Sequence, residues 1–341
     1  MVNLVRLRPP KSWSSPEDHL WAAINHPWYR AIQKIQSDLY RATNCYFESI
    51  GFDPVLMPVT TGAVSSPMGL GSDSLPVQVK LYSRDVFLAD SMQFHLEYLL
   101  RHETPGVYYI MPTFRNENSS PRHLNEFHHS EAELRGSFED VVRIILRYTR
   151  TLAQELLTRH GPAICAAAGT TKHIEAYIAK GDNIPRISYE EARRILEGQP
   201  DTIQSITQKA FTITAKGERW LMNYVCGPLL LTHPPHLTVP FYQAYSDDGY
   251  HAQAADLLMG IGETVGCGER HVDAENLIRA LQSHQISADM YAWYVNLKRR
   301  FPLRTSGFGM GIERFLLWIL NHDDIRDIPL IPRIQEIVST P

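Results

Sequence analysis

Residues 114–134 read FRNENSSPRHLNEFHHSEAEL, and residues 306–320 read SGFGMGIERFLLWIL. Side chains alternate along a strand, so a strand through Thr113–Glu117 sets Arg115 and Glu117 on one face. A returning strand sets Phe127, His129, Glu131 and Glu133 together in the same way, with Arg122 and His123 in the connecting loop. The hairpin therefore gathers a guanidinium, three carboxylates and an aromatic ring on one surface. Charged groups are seldom buried unless paired, so this surface reads as a solvated charged face or as a site for a charged ligand with an aromatic base. In the second stretch Gly307, Gly309 and Gly311 alternate and leave one side of a strand bare. The helix that follows opens with Glu313 and Arg314. A bare strand feeding a helix N-terminus suits a nucleotide lying above it, and it also suits close strand–helix packing.

Outward from these two stretches the pattern is one of strands interrupted by helices. Residues 1–26 read as an irregular arm with at most one short helix. Trp28–Ile50 is an amphipathic helix on the spacing of Ile32, Ile35, Leu39 and Tyr46. GFDPVLMP reads as a turn and a short strand ending at Pro58, and Thr60–Val77 reads as a loop. QVKLYSRDVFLAD forms two strands around a tight turn, SMQFHLEYLL a helix, and VYYIMPTF a buried strand. Phe138–Arg159 is a long helix, and the weaker patterning over about 161–235 reads as an insertion. FYQAYSDDGYHAQAADLLMGIGETVG is a second block of strands with DDG at a hairpin turn. Helices follow at Ala274–His284 and Ala288–Arg299. The fold class is α+β, with helices flanking a mostly antiparallel sheet.

Two further clusters read either as chemistry or as plainer structure, a glycine-rich hairpin turn in the first and a solvated polar pair in the second. In GIGETVGCGERH, Glu263 and Arg270 stand among glycines; a carboxylate there suits Mg²⁺ and a guanidinium suits a carboxylate or carboxamide. In SMQFHLEYLL, Gln93 and Glu97 are four residues apart and share a helix face.

The 341 residues carry 33 Lys+Arg against 37 Asp+Glu, a net charge of −4, so no overall basic field draws in DNA or RNA. The longest apolar runs, such as Phe315–Leu320, are too short to span a bilayer. The basic N-terminus lacks the apolar core of a secretory signal. Four cysteines without a CxxC pair indicate neither a disulfide framework nor zinc, and point to the cytoplasm.

Taken in order, GFDPVLMP, FRNEN with RHLNEF, and GFGMGIERF resemble the three signature motifs of class II aminoacyl-tRNA synthetases. FYQAYSDDGYHAQAADLLMGIGE, YAWYVNLKRR and DDIRDIPLIPR resemble the asparaginyl members of the aspartyl/asparaginyl subgroup. The resemblance implies a catalytic domain over 27–341 and a homodimer through the Trp28–Ile50 helix. It implies that ATP and Mg²⁺ are used to form an acyl-adenylate and pyrophosphate. Arg115 would hold the α-phosphate and the carboxylate under activation, and Arg314 would stack on adenine opposite Phe127. Glu117 would read the adenine amino group, Arg122 and His123 the outer phosphates, and Glu263, with a neighbouring carboxylate, the Mg²⁺. Gln93 and Glu131 would hold the α-amino group, and Arg270 the side-chain end of an Asp-like or Asn-like substrate.

The length leaves no room for the subgroup's anticodon-binding barrel, so tRNA is not the expected partner. The architecture is similar to archaeal asparagine synthetases related to asparaginyl-tRNA synthetase, which implies transfer of the acyl group to ammonia or a small amine. Leu96 stands where aspartate-activating relatives carry a lysine, and Glu97 resembles the asparaginyl pattern. A carboxylate facing the side chain favours an amide, so asparagine or another carboxamide is an alternative substrate, activated at its α-carboxylate or at its amide oxygen to give a nitrile. A minimal asparaginyl-tRNA synthetase and a non-catalytic paralogue are the remaining readings. GCGERH replaces the more usual GGSQRE and sets Cys267, Glu269 and His271 near the pocket.

Overall fold

The computed structural model describes residues 6–66, 74–207 and 210–334. The central sheet has eight strands: β1 (Asp53–Pro54), β2 (Gly106–Phe114), β3 (Glu126–Arg135), β4 (Arg186–Ser188), β5 (Leu229–Thr232), β6 (Ala254–Met259), β7 (Gly262–Glu269) and β8 (Thr305–Gly311). Their order across the sheet is β1-β2-β3-β8-β7-β6-β5-β4. The edge pairs β1·β2 and β5·β4 are parallel and the pairs between them antiparallel.

One face of this sheet is covered by two long helices, α2 (Pro27–Ser49) and α4 (Phe138–Ala168); α1 (Pro16–Asn25) precedes them. Pro27 opens α2, where its missing N–H is harmless, and Trp28, Ile32, Ile35, Leu39 and Phe47 form its buried stripe. Phe47 stacks on Tyr108 of β2 with ring centroids 4.4 Å apart. Ser137 and Asp140 form a capping box at the start of α4, and Gly169 ends it at φ 79°. Ala132, Leu134, Phe308, Met310 and Val265 point into this core, so their strand neighbours face the other way.

The opposite face holds the site. Gly307 and Gly309 of β8 pair with Glu133 and Glu131 of β3. A Cβ at 307 would fall on the Glu133 carboxylate, and one at 309 would lie 2.9 Å from Glu131 Oε1. On β7, the register shifts between Leu257 and Leu258, leaving Thr264 as the extra residue of a bulge. Glu263 and Val265 would otherwise share a face; the bulge turns Glu263 away from the core in which Val265 lies.

Helix α3 (Gln93–Leu99) borders the site, and α5 (Lys172–Lys180), α6 (Tyr189–Ile195) and α7 (Ala215–Tyr224) follow α4. Then come α8 (Ala274–Ser283), α9 (Ala292–Arg300) and α10 (Ile312–Ile319), the last directly after β8. No helix among the described residues is long and apolar enough to cross a membrane.

Three local readings differ from the structure. Helix α4 runs through Pro162 to Ala168, so the expected insertion boundary at 161 falls inside a helix; Gly161, lacking a Cβ, relieves the clash with the proline ring. The strand expected to end at Pro58 is only Asp53–Pro54. Residues 241–253 form no ladder. The DDG turn is closed by Asp248 accepting from the Tyr250 and His251 amides, and by an isolated Tyr245–Ala252 bridge. Part of the Thr60–Val77 loop, residues 67–73, lies outside the described residues.

Gly307→Ala is expected to lower stability in urea unfolding by about 1–3 kcal/mol or more, because its methyl group competes with the Glu133 carboxylate. Gly62→Ala, with nothing within 4 Å of the added carbon, should change stability by no more than about 0.5 kcal/mol.

Candidate active site

Two cavities open on the glycine-striped face, of about 440 and 140 Å³, and share Arg115, His129, Glu263 and Gly309. The larger is lined by Arg115, Glu117, Arg122, His123, Phe127, Glu263 and Arg314. All seven residues read as nucleotide-binding therefore meet in one chamber. The smaller is lined by Gln93, Glu131 and Arg270, with Ser91, Tyr242, Gln243 and Asp256.

The charged groups of the larger cavity are held from behind and left open in front. The loop after β2 is pinned by Asn125, whose Nδ2 donates to the carbonyls of Arg115 and Glu117 at 3.1 and 2.6 Å. The Arg115 guanidinium lies 5.7 Å from the centre of the Phe127 ring. Arg115 Nε, Glu117 Oε1 and Arg122 Nε and Nη1 are buried without a protein partner. Buried polar atoms left unpaired are costly, and ligand atoms would complete them. Arg122 Nη2 donates to Glu218 of α7 at 2.9 Å. His128 ties the start of α10 to β3: its amide and Nδ1 lie 3.0–3.2 Å from the Glu313 carboxylate. That contact fixes Arg314, which donates from Nη1 to the Glu263 carbonyl at 2.7 Å. Burial pulls the Arg314 pKa below its usual value.

Asp256 on β6 is the carboxylate beside Glu263 that motif reading left unnamed. Measured from where a Cβ of Gly266 would be, Glu263 Oε1 lies at 2.8 Å and Asp256 Oδ1 at 3.7 Å, so the two groups converge over that glycine. Burial and then the Glu263 and Glu218 charges push Asp256 well above the usual carboxylate range. Among the described residues no three His, Cys, Asp or Glu side chains form a ready metal cage. Two converging carboxylates suit a hard cation such as Mg²⁺, which keeps several waters and takes other oxygens from phosphates.

In the smaller cavity Glu131 accepts from Ser91 Oγ at 2.6 Å, from the Tyr109 hydroxyl, and from Gln93 Nε2 at 3.3 Å. Burial opposes its charge, yet its hydrogen-bond donors and His129 hold its pKa below the usual value. Arg270, 2% exposed, donates from Nε to Glu133 Oε1 at 3.1 Å. Burial pushes Glu133 up to about 7 against the pull of Arg270.

Glu97 is the one predicted site residue that lines neither cavity. It lies behind, accepting from Lys298 Nζ, the Tyr294 hydroxyl, Thr305 Oγ1 at 2.9 Å and Arg101 Nη1 at 3.1 Å. Its helix face is shared with Gln93, but α9 supplies a buried cation that captures the carboxylate. The expectation that Glu97 faces the substrate side chain is corrected accordingly. Of the substituted GCGERH residues, Cys267 lines the smaller cavity. Glu269 pairs with Arg304 at 2.8 Å, and His271 lies 3.2 Å from the Phe241 carbonyl.

An antiparallel sheet with a glycine-striped strand, an arginine hairpin and paired carboxylates defines a class II synthetase-type catalytic core. Residues 17–335 match the family described as tRNA synthetases class II (D, K and N), and the chain belongs to that family. The fold is similar to asparaginyl-tRNA synthetase from Pyrococcus horikoshii complexed with asparaginyl-adenylate, at 24% identity and TM-score 0.86, covering 98% of this chain and 74% of that one. The asparaginyl-tRNA synthetase of Entamoeba histolytica in complex with asparaginyl-adenylate gives 22%, TM-score 0.81, and coverage of 97% and 72%. A putative aspartyl-tRNA synthetase from Leishmania major Friedlin gives 20%, TM-score 0.76, and coverage of 91% and 66%.

Glu97→Gln should destabilise the protein by about 3–5 kcal/mol in urea unfolding at pH 7, because Lys298 is left charged and buried. Burial opposes the Glu97 charge, but Lys298 and Arg101 hold its pKa down at about 2. A depressed carboxylate contributes its stability above its unfolded value, so the gap between wild type and variant should close as pH falls below about 4.5 towards 2.

Proposed function

We propose that the chain activates the α- or side-chain carboxylate of a small Asp-like amino acid with ATP and passes the acyl group to ammonia or a small amine. The observation that carries this reading is the junction of the two cavities at Arg115, whose Nε is buried and unpaired there. Arg115 would hold the carboxylate and the α-phosphate together. Phe127 and Arg314 would enclose the adenine, with Glu117 at its amino group. Arg122 and His123 would take the outer phosphates. Asp256 and Glu263 would hold Mg²⁺, which neutralises phosphate charge when bound.

A substrate carboxylate oxygen attacks the α-phosphorus, and the bond to pyrophosphate breaks. The amine nitrogen then attacks the acyl carbon, AMP departs with the ester oxygen, and the amine loses a proton. Orientation and charge stabilisation carry both steps, with no protein nucleophile. A net charge of −4 offers no overall cationic field for a polyanionic acceptor, which favours a small one. The likeness to asparaginyl-tRNA synthetases favours a second reading, with tRNA as the acceptor. A homodimer through α2 belongs to either reading.

Aspartate, ATP and Mg²⁺ should support pyrophosphate exchange, and added ammonia should yield AMP, pyrophosphate and an amide identified by mass. Arg115→Ala should lower exchange about 100- to 1,000-fold. Absence of exchange with any Asp-like or Asn-like amino acid rejects adenylation, whereas labelling of bulk tRNA in place of amide formation selects the second reading.

A further inference from the structure

Arg270, Gln243 and Gln93 line one end of the smaller cavity, and Glu133 lies buried behind Arg270. A guanidinium has five N–H donors and no acceptor. Arg270 directs Nε and one Nη2 hydrogen to Glu133, the other Nη2 hydrogen to Gln93 Oε1 at 3.1 Å, and one Nη1 hydrogen to Gln243 Oε1 at 2.8 Å. One Nη1 donor is left over.

Because arginine cannot accept, Gln243 has to present its oxygen to Arg270, which turns its Nε2 the other way. The residue has little freedom to do otherwise. Its amide donates to the Pro240 carbonyl at 3.1 Å, and its own carbonyl lies 2.7 Å from His236 Nε2. A Cβ at position 268 would fall on its side-chain oxygen, so Gly268 leaves the space that this oxygen fills. Gln243 Nε2 has no protein partner among the described residues, and it is not sealed off from the cavity that Gln243 lines.

The acceptors nearby are already used. Gln93 Oε1 receives both the Arg270 hydrogen and the Tyr242 hydroxyl, at 3.1 and 3.0 Å. Glu133 is fully buried against Arg270, and Glu97 is held by Lys298 and Arg101. This end of the cavity therefore offers two N–H donors, one from Gln243 and one from Arg270, while Glu131 supplies negative charge elsewhere in the same cavity.

We propose that Gln243, its amide oriented by Arg270, is a specificity-determining residue that makes this cavity select a carboxylate over a carboxamide at the substrate's side-chain end. The proposal rests on the reading that the chain adenylates an amino acid at its α-carboxylate, held at Arg115, which leaves the side-chain end to Arg270 and Gln243. Two carboxylate oxygens accept both donors. A carboxamide accepts with its oxygen but sets its own NH₂ against the second donor, leaving polar groups unpaired at that end of the cavity.

The test is pyrophosphate exchange by the full chain with aspartate and with asparagine, read as the ratio of kcat/KM. Wild type should favour aspartate by at least about 10- to 100-fold. Gln243→Met removes the donor and should lower that ratio about tenfold or more, mainly through KM for aspartate. Gln243→Glu replaces the donor with an acceptor and should lower it further. A wild-type preference for asparagine, or a ratio that neither substitution moves, overturns the assignment while leaving adenylation intact. Exchange with neither of these nor with any Asp-like or Asn-like analogue overturns the adenylation reading, and this proposal with it. A wild-type preference for asparagine overturns the assignment even if a variant does not fold.

Discussion

Beneath the site, the carboxylates of Glu131 and Glu133 occupy space that side chains at positions 309 and 307 would otherwise fill. The rest of the site follows from that steric condition. Glu133 can sit fully buried only because β8 is bare there, and a buried carboxylate requires a cation, which Arg270 supplies from the end of β7. Arg270 then orients Gln93 and Gln243, and Gln93 in turn reaches Glu131. A missing row of Cβ atoms on one strand thus propagates through a buried ion pair into the donor pattern of a ligand cavity.

The larger cavity is organised differently. Its cations are anchored by one or two atoms each: Arg122 by Glu218, and Arg314 by the Glu263 and Arg122 carbonyls. Arg122 is pre-positioned with Nε and Nη1 to spare, as a site for a polyanion requires. Asp256 and Glu263 line the adjoining smaller cavity, where burial and the neighbouring carboxylates push the Asp256 pKa up. The segment between α4 and β5 takes part, since α7 provides Glu218 and Gly262 leaves room for the Arg122–Glu218 contact.

Much of this was legible in the sequence because the features concerned are local. Alternation placed Phe127, His129, Glu131 and Glu133 on one face, and the glycine stripe at 307–311 marked the bare strand. Residues at fixed spacing on one strand or helix need no tertiary information to be grouped. Glu97 failed for the same reason: helical spacing says that it shares a face with Gln93, but not that Lys298, 201 positions later, captures it. Glu218 carried no signal, since its partner Arg122 is 96 positions away. The Thr264 bulge that turns Glu263 towards the site is equally invisible to alternation, because one inserted residue inverts every face assignment beyond it.

The sequence by itself determined the α+β class, the glycine-striped strand, the arginine hairpin and membership of the chemistry-bearing residues in a few short motifs. Tertiary structure alone decided which carboxylates face a ligand and which are buried against cations. It also decided which way the Gln243 amide points. The physical reason is that a charge or an amide dipole is oriented by its nearest partner, and here those partners come from distant parts of the chain.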